Sequence, residues 1–221
     1  MNLPDGLLPP AWLWLGHAAL LALALFAARR LPWRRLRDGE QLNVFLGACV
    51  VLMVLWRIKA GVAPGLNFHF LGATLATLMF GWRLALLAMA IVVAGVTLSG
   101  LGGWQAYSIN ALLMGALPVA VSHAIYRAAA RRLPRHFFVY VFVAGFFGAA
   151  AAMAATGLAS ASLFVAAGTY GLGYLAEHYL PFYLLMVFPE AILTGSALAL
   201  MVVYRPHWVA TFDDDTYIKN K

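Results

Sequence analysis

The chain alternates long apolar runs with short basic or glycine-rich junctions. Taking charge, proline and glycine as punctuation, the pattern predicts seven helical segments. They run over about 11–28, 43–55 (extending towards Lys59), 68–81, 84–98, 107–126, 137–157 and 180–204. The third is short and bounded by glycines. The small-residue stretch 158–174 either prolongs the sixth segment or folds back. Prolines 181 and 189 fall within the last.

Composition decides what these runs are. Of 221 residues, 64% are hydrophobic and 10% charged, and the mean hydropathy is +0.84. Soluble domains carry about 45–50% apolar and roughly 25% charged residues. The expected fold is therefore an all-α integral membrane protein with about seven transmembrane helices. It is read as one polytopic domain over 1–210, in which 1–10 form an arm, with a short cytoplasmic tail over 211–221. The small residues of the sixth segment suit close helix packing. Cys49, the single cysteine, lies in an apolar run and reads as a small hydrophobe.

Charge sets an expected orientation. Alternate threading puts the N-terminus outside and the C-terminus inside. The inner side then holds Arg29, Arg30, Arg34, Arg35, Arg37, Arg83, Arg127, Arg131, Arg132, Arg135, Arg205, Lys219 and Lys221, and the outer side only Arg57 and Lys59. This bias accounts for the net charge of +7 without nucleic acid.

The outer side also collects the polar groups with the most chemistry. The arm, MNLPDGLLPP, has no basic start and three prolines, unlike a signal peptide. With it lie Asn2, Asp5, Asn67, His69, Glu177 and His178, while Asn110 and Glu190 fall within spans. His69 stands at the outer start of the third segment, within reach of the arm. Its position alone also suits an interfacial anchor. A neutral imidazole and a deprotonated terminal amine are both nitrogen donors, and nitrogen-rich planar sets suit Ni(II) or Cu(II). Glu190, ionisable in mid-span, reads either as a functional group or as a hydrogen-bonding partner for another helix or for backbone freed by Pro189. His17 and His123 read as helix-to-helix hydrogen-bonding residues, and His136 and His207 as boundary residues. Glu177 and His178 read as a solvated loop or an entry patch. No GxSxG, HExxH, GxxxxGK[ST] or CxxC motif occurs. The chain is thus not read as an enzyme, and it has no phosphate loop with which to hydrolyse ATP.

The arm and the stretch GLNFHFLGATLATLMFG together resemble the nickel/cobalt-type substrate-capture subunits of energy-coupling-factor transporters. Leu3, Pro4, Asp5, Gly6, Leu7, Leu8 and Pro9 fit that family's opening pattern, and His69-Phe70-Leu71-Gly72-Ala73-Thr74 fits its histidine before a glycine-threonine helix. YSINALLMGALPV and PEAILTG agree more loosely. The resemblance implies seven spans, an extracytoplasmic N-terminus folded into the bundle, and uptake of a transition metal across a bacterial inner membrane. It implies Ni or Co, with Cu or Zn as alternatives, and a partner set of a transmembrane coupling subunit and ATPases besides the lipid bilayer. Carried over residue by residue, the implied donors are the Met1 amine, the Asn2 backbone nitrogen and His69. Asp5, Asn67, Asn110 and Glu190 would order the site or the pathway. Position 2 departs from the family, where a second imidazole stands. Two other readings remain beside metal capture: a membrane assembly scaffold, and capture of a small organic molecule through the aromatic outer end (Trp12, Trp14, Phe68, Phe70, Trp104, Tyr107).

Overall fold

The computed structural model describes residues 2–215 and residue 217. Residues 2–9 form an irregular arm that leads into α1 (Pro10–Ala28). Pro10 opens that helix, where a missing N–H is no loss. After a 3-10 turn at Trp33–Arg37, α2 (Gly39–Leu55) is capped by the Asp38 carboxylate, which accepts from the Gln41 N–H at 3.0 Å. A short antiparallel hairpin follows, β1 (Ala60–Ala63) and β2 (Leu66–Phe68), with Gly61 opposite Asn67. Then come α3 (Ala73–Phe80), α4 (Trp82–Leu98), α5 (Tyr107–Arg132), α6 (Phe137–Ala166), α7 (Leu172–His178) and α8 (Leu180–Tyr204). Residues 112–116 of α5 and 140–147 of α6 take wider π-helical turns.

Among the described residues, four helices are long and apolar enough to cross a membrane: α1, α5, α6 and α8. The apolar helices α2 and α4 have 17 residues each, about 26 Å of rise. The eight residues of α3 rise only about 12 Å, short of a hydrocarbon core of about 30 Å. It is an internal strut: all its residues but Leu75 are buried, against α4, α5 and α6. Two expected boundaries shift. The predicted third segment, 68–81, gives its first residues to β2 and an irregular turn, since Gly72 takes a left-handed φ of 65° and caps α3. The stretch 158–174 neither folds back wholly nor crosses again. It prolongs the sixth helix to Ala166, then turns into α7.

The described residues after α8 pack back onto the bundle. The Ala210 and Thr211 N–H groups donate to the Met79 and Leu78 carbonyls at 2.8 and 3.2 Å, supplying carbonyls that the C-terminus of α3 leaves open. Val209, Phe212 and Tyr217 are buried around Tyr140. Lys219 and Lys221, which entered the inner charge count, lie outside the described residues.

Candidate metal site at the N-terminal arm

The arm is held by backbone and carboxamide groups rather than by secondary structure of its own. Leu3 and Leu8 are buried in the core, and each such burial contributes roughly 1.5–3 kcal/mol. Asn110, buried on α5, grips Leu3 like a neighbouring strand. Its Oδ1 accepts from the Leu3 N–H at 2.9 Å and its Nδ2 donates to the Leu3 carbonyl at 3.1 Å. The same carbonyl accepts from the Gly103 N–H at 2.9 Å. The Asp5 carboxylate accepts from the N–H groups of Trp104, Gln105 and Ala106 at 3.2, 2.8 and 3.2 Å. Gly103 has to be glycine for this, because a Cβ there would run into Asp5. Asp5 thus fastens the arm to the loop before α5 and has both oxygens engaged.

His69 follows directly on β2, the strand to which residue 2 of the arm is tied. The Asn67 Nδ2 donates to the Asn2 carbonyl at 3.4 Å, which ties residue 2 to the strand that leads into His69. The imidazole is 2% exposed and lies against the Trp56 indole, with ring centroids 4.5 Å apart. Its Nδ1 sits 2.9 Å from the Phe70 carbonyl. A carbonyl only accepts, so Nδ1 carries the proton and the lone pair resides on Nε2. Burial holds the imidazole's pKa well below the ordinary histidine value, so the ring is neutral at neutral pH. A neutral ring oriented through its other nitrogen by a backbone carbonyl is the form in which histidine binds metals.

Glu190, buried on α8, sets the turn between His69 and α3. Its two carboxylate oxygens accept from the Leu71 and Gly72 N–H groups, each at 2.9 Å. Of the sequence alternatives, this is a helix-to-backbone bond, and its partners are the His69 turn rather than the backbone around Pro189. From the other side the Trp56 indole N–H donates to the Leu71 carbonyl at 3.2 Å. Trp56 was not singled out in the sequence. Its only signal there is a tryptophan closing an apolar run just before a polar loop.

Asn2 is the anomaly. Its side chain is 3% exposed, and among the described residues neither its Oδ1 nor its Nδ2 has a hydrogen-bond partner. Buried carboxamides are normally paired, and leaving one unpaired costs roughly 1–3 kcal/mol. Among the described residues no group of three His, Cys, Asp or Glu could hold a metal. The donors available around the arm are therefore His69 and the amide groups near the chain start. Met1, the other expected donor, lies outside the described residues.

Comparison with known proteins decides the family. The model of the cobalt uptake substrate-specific transmembrane region matches residues 2–208. The chain belongs to this family. A protein of Haloquadratum walsbyi named for metal transport is 29% identical over 136 residues. That alignment covers 58% of this chain and 58% of the relative, so the chain spans little over half the length of the curated protein it matches. Two solved structures titled as a transition metal transporter share the fold. One superimposes with a TM-score of 0.73 at 22% identity, over 94% of this chain and 96% of that one. A truncated form gives 0.71 at 21% identity, over 92% and 99%. This cobalt-uptake family member is thus a multi-pass membrane protein of a transporter family.

The remaining expected residues lie elsewhere in the family fold. Glu177 and His178 are exposed on α7, where His178 stacks on Tyr174 at 4.6 Å. His17 meets the edge of Trp14, and His123 lies between Trp82 and Tyr126. His136 accepts from the Phe138 N–H at 3.2 Å. His207 does more than mark a boundary: its Nε2 lies 2.8 Å from Glu40, which also accepts from the Trp208 indole at 2.9 Å.

Proposed function

We propose that this protein captures a transition-metal ion for uptake across a bacterial inner membrane. The N-terminal amine, the Asn2 backbone nitrogen and His69 Nε2 hold the ion, which is Ni(II) or Co(II). Asp5, Asn67 and Asn110 keep the arm in register, and Glu190 keeps the His69 turn in place. The observation that carries the reading is the pairing of a buried, neutral His69, oriented through Nδ1, with an arm clamped over its strand by Asn67. Family membership supports the metal cargo, and the planar nitrogen set suits Ni(II). The chain crosses the membrane seven times, with α3 completing one crossing inside the bundle, the N-terminus outside and the C-terminus inside. Energy comes from a separate coupling subunit with ATPases.

The test is elemental analysis of detergent-purified protein with its native, untagged N-terminus, beside His69→Ala. Near-stoichiometric metal that disappears in the variant is the expected result. Equal metal in both proteins removes His69 from the site. No metal in either, after incubation with Ni, Co, Cu and Zn, makes the fold a scaffold or a capture protein for an organic molecule.

A further inference from the structure

The first helix is only lightly held by the bundle. Of α1, only Gly16 and Ala27 are buried. Gly16 lies so close to Ile109 of α5 that a Cβ there would overlap it. Near the other end, Phe26 stacks on Trp82 at the start of α4, with ring centroids 5.9 Å apart. Between these two contacts α1 stands off α4 and α5 and leaves a cleft of about 240 Å³. Six of its thirteen lining residues are alanines, whose short side chains leave the space open. Ala24, Ala28 and Trp33 in the lining are exposed, so the cleft opens on the outside of the bundle. In a multi-pass membrane protein that side faces lipid. An apolar cleft there stays dry and takes an acyl chain.

One part of the cleft is charged. Arg83 is the only ionisable residue in the lining, and among the described residues no carboxylate pairs with it. Its Nε is buried and unpartnered, and its guanidinium carbon lies over the Trp82 ring, 4.3 Å from the centroid. The two terminal nitrogens remain as donors, and a guanidinium stacked by its face grips a phosphate with its edge. Arg29 and Arg30 follow the lining residue Ala28, and Arg34 follows Trp33, so further positive charge stands beside the cleft. The N-terminus of α4 adds to it, since no side chain caps that end and its first turn has no acidic residue.

We propose that the cleft binds one anionic glycerophospholipid, with an acyl chain between α1 and α4 and the phosphate on Arg83. The acyl chain gains little over bulk lipid, because lipid tails are as apolar as the cleft walls. The charged mouth supplies the selectivity, as in other basic pockets between membrane helices. The bound lipid fills the gap behind α1 and steadies the helix from which the arm extends. Metal capture at His69 plays no part in it.

The test is native mass spectrometry of delipidated, detergent-purified protein given equimolar phosphatidylglycerol and phosphatidylcholine of the same chain lengths. Wild type is expected to carry phosphatidylglycerol at least about fivefold more often, the ratio expected for one arginine at an anionic headgroup. Arg83→Gln is expected to bind both lipids alike, and Arg83→Lys to keep part of the preference. Ala24→Phe, at an exposed position, fills the cleft and is expected to lose bound lipid of either kind. Equal binding of the two lipids by wild type, or an unchanged preference in Arg83→Gln, overturns the proposal. Full phosphatidylglycerol binding by Ala24→Phe overturns the cleft as its seat.

Discussion

At the scale of single residues, Asn2 is where this chain departs from the pattern it otherwise follows. The carboxamide stands where an imidazole is expected, and none of the described residues supplies a partner. If its cost is the roughly 1–3 kcal/mol of an unpaired buried amide, Asn2→Ala stabilises the metal-free protein. A thermal melt in detergent is expected to shift upward, and a downward shift would mean the side chain has a partner in solution. Asn2→His supplies the missing nitrogen donor and is expected to tighten Ni(II) retention in equilibrium dialysis of the purified protein. Weaker retention would show that the arm cannot present a side chain from position 2 to the ion. His69 needs no such repair. Its tautomer is set by Phe70 and its plane by Trp56.

At the scale of elements, α3 is the part on which the site depends. It is too short to span and is fixed at both ends by side chains and backbone from distant parts of the chain. Glu190 holds the turn that enters it, and residues 210–211 take up carbonyls at its exit. Glu190→Ala leaves two buried N–H groups unpaired and is expected to cost about 2 kcal/mol or more. Glu190→Gln keeps one acceptor oxygen and should recover part of the loss. Hydrogen exchange at the Leu71 and Gly72 amides distinguishes the two variants. Equal protection in both, matching wild type, would show that α3 holds its turn without α8.

At the scale of the molecule, the arm closes one end of the helix bundle while the basic junctions gather at the other. Because Cys49 is the only cysteine and is buried, single new thiols report the threading cleanly. In intact cells a membrane-impermeant maleimide is expected to label Trp104→Cys, beside the arm, and not Arg132→Cys at the end of α5. The reverse pattern would invert the proposed orientation. Both positions are exposed, so a lack of labelling at either reflects the membrane rather than burial.

Hydropathy and charge are local quantities, and what depends on them was legible in the chain. The run that became α1, the close of α2, α4 and the core of α8 follow directly from apolar length between charged or glycine junctions. The arm and His69 stood out because few polar groups share their side of the pattern. The sequence could not tell how the arm is held. Asn110 lies 107 positions from Leu3 and Glu190 lies 119 from Leu71, and no periodicity links residues so far apart. The loop before the third segment held a hairpin, and that segment's apolar start a left-handed glycine, since hydropathy averages over backbone conformation. The tail's aspartates masked the apolar residues that pack beside Tyr140. Apolar length fixed which segments leave water, because that free energy adds residue by residue. Which polar atoms meet inside was decided by tertiary structure alone, because a buried hydrogen bond depends on two partners placed within about 3 Å of each other.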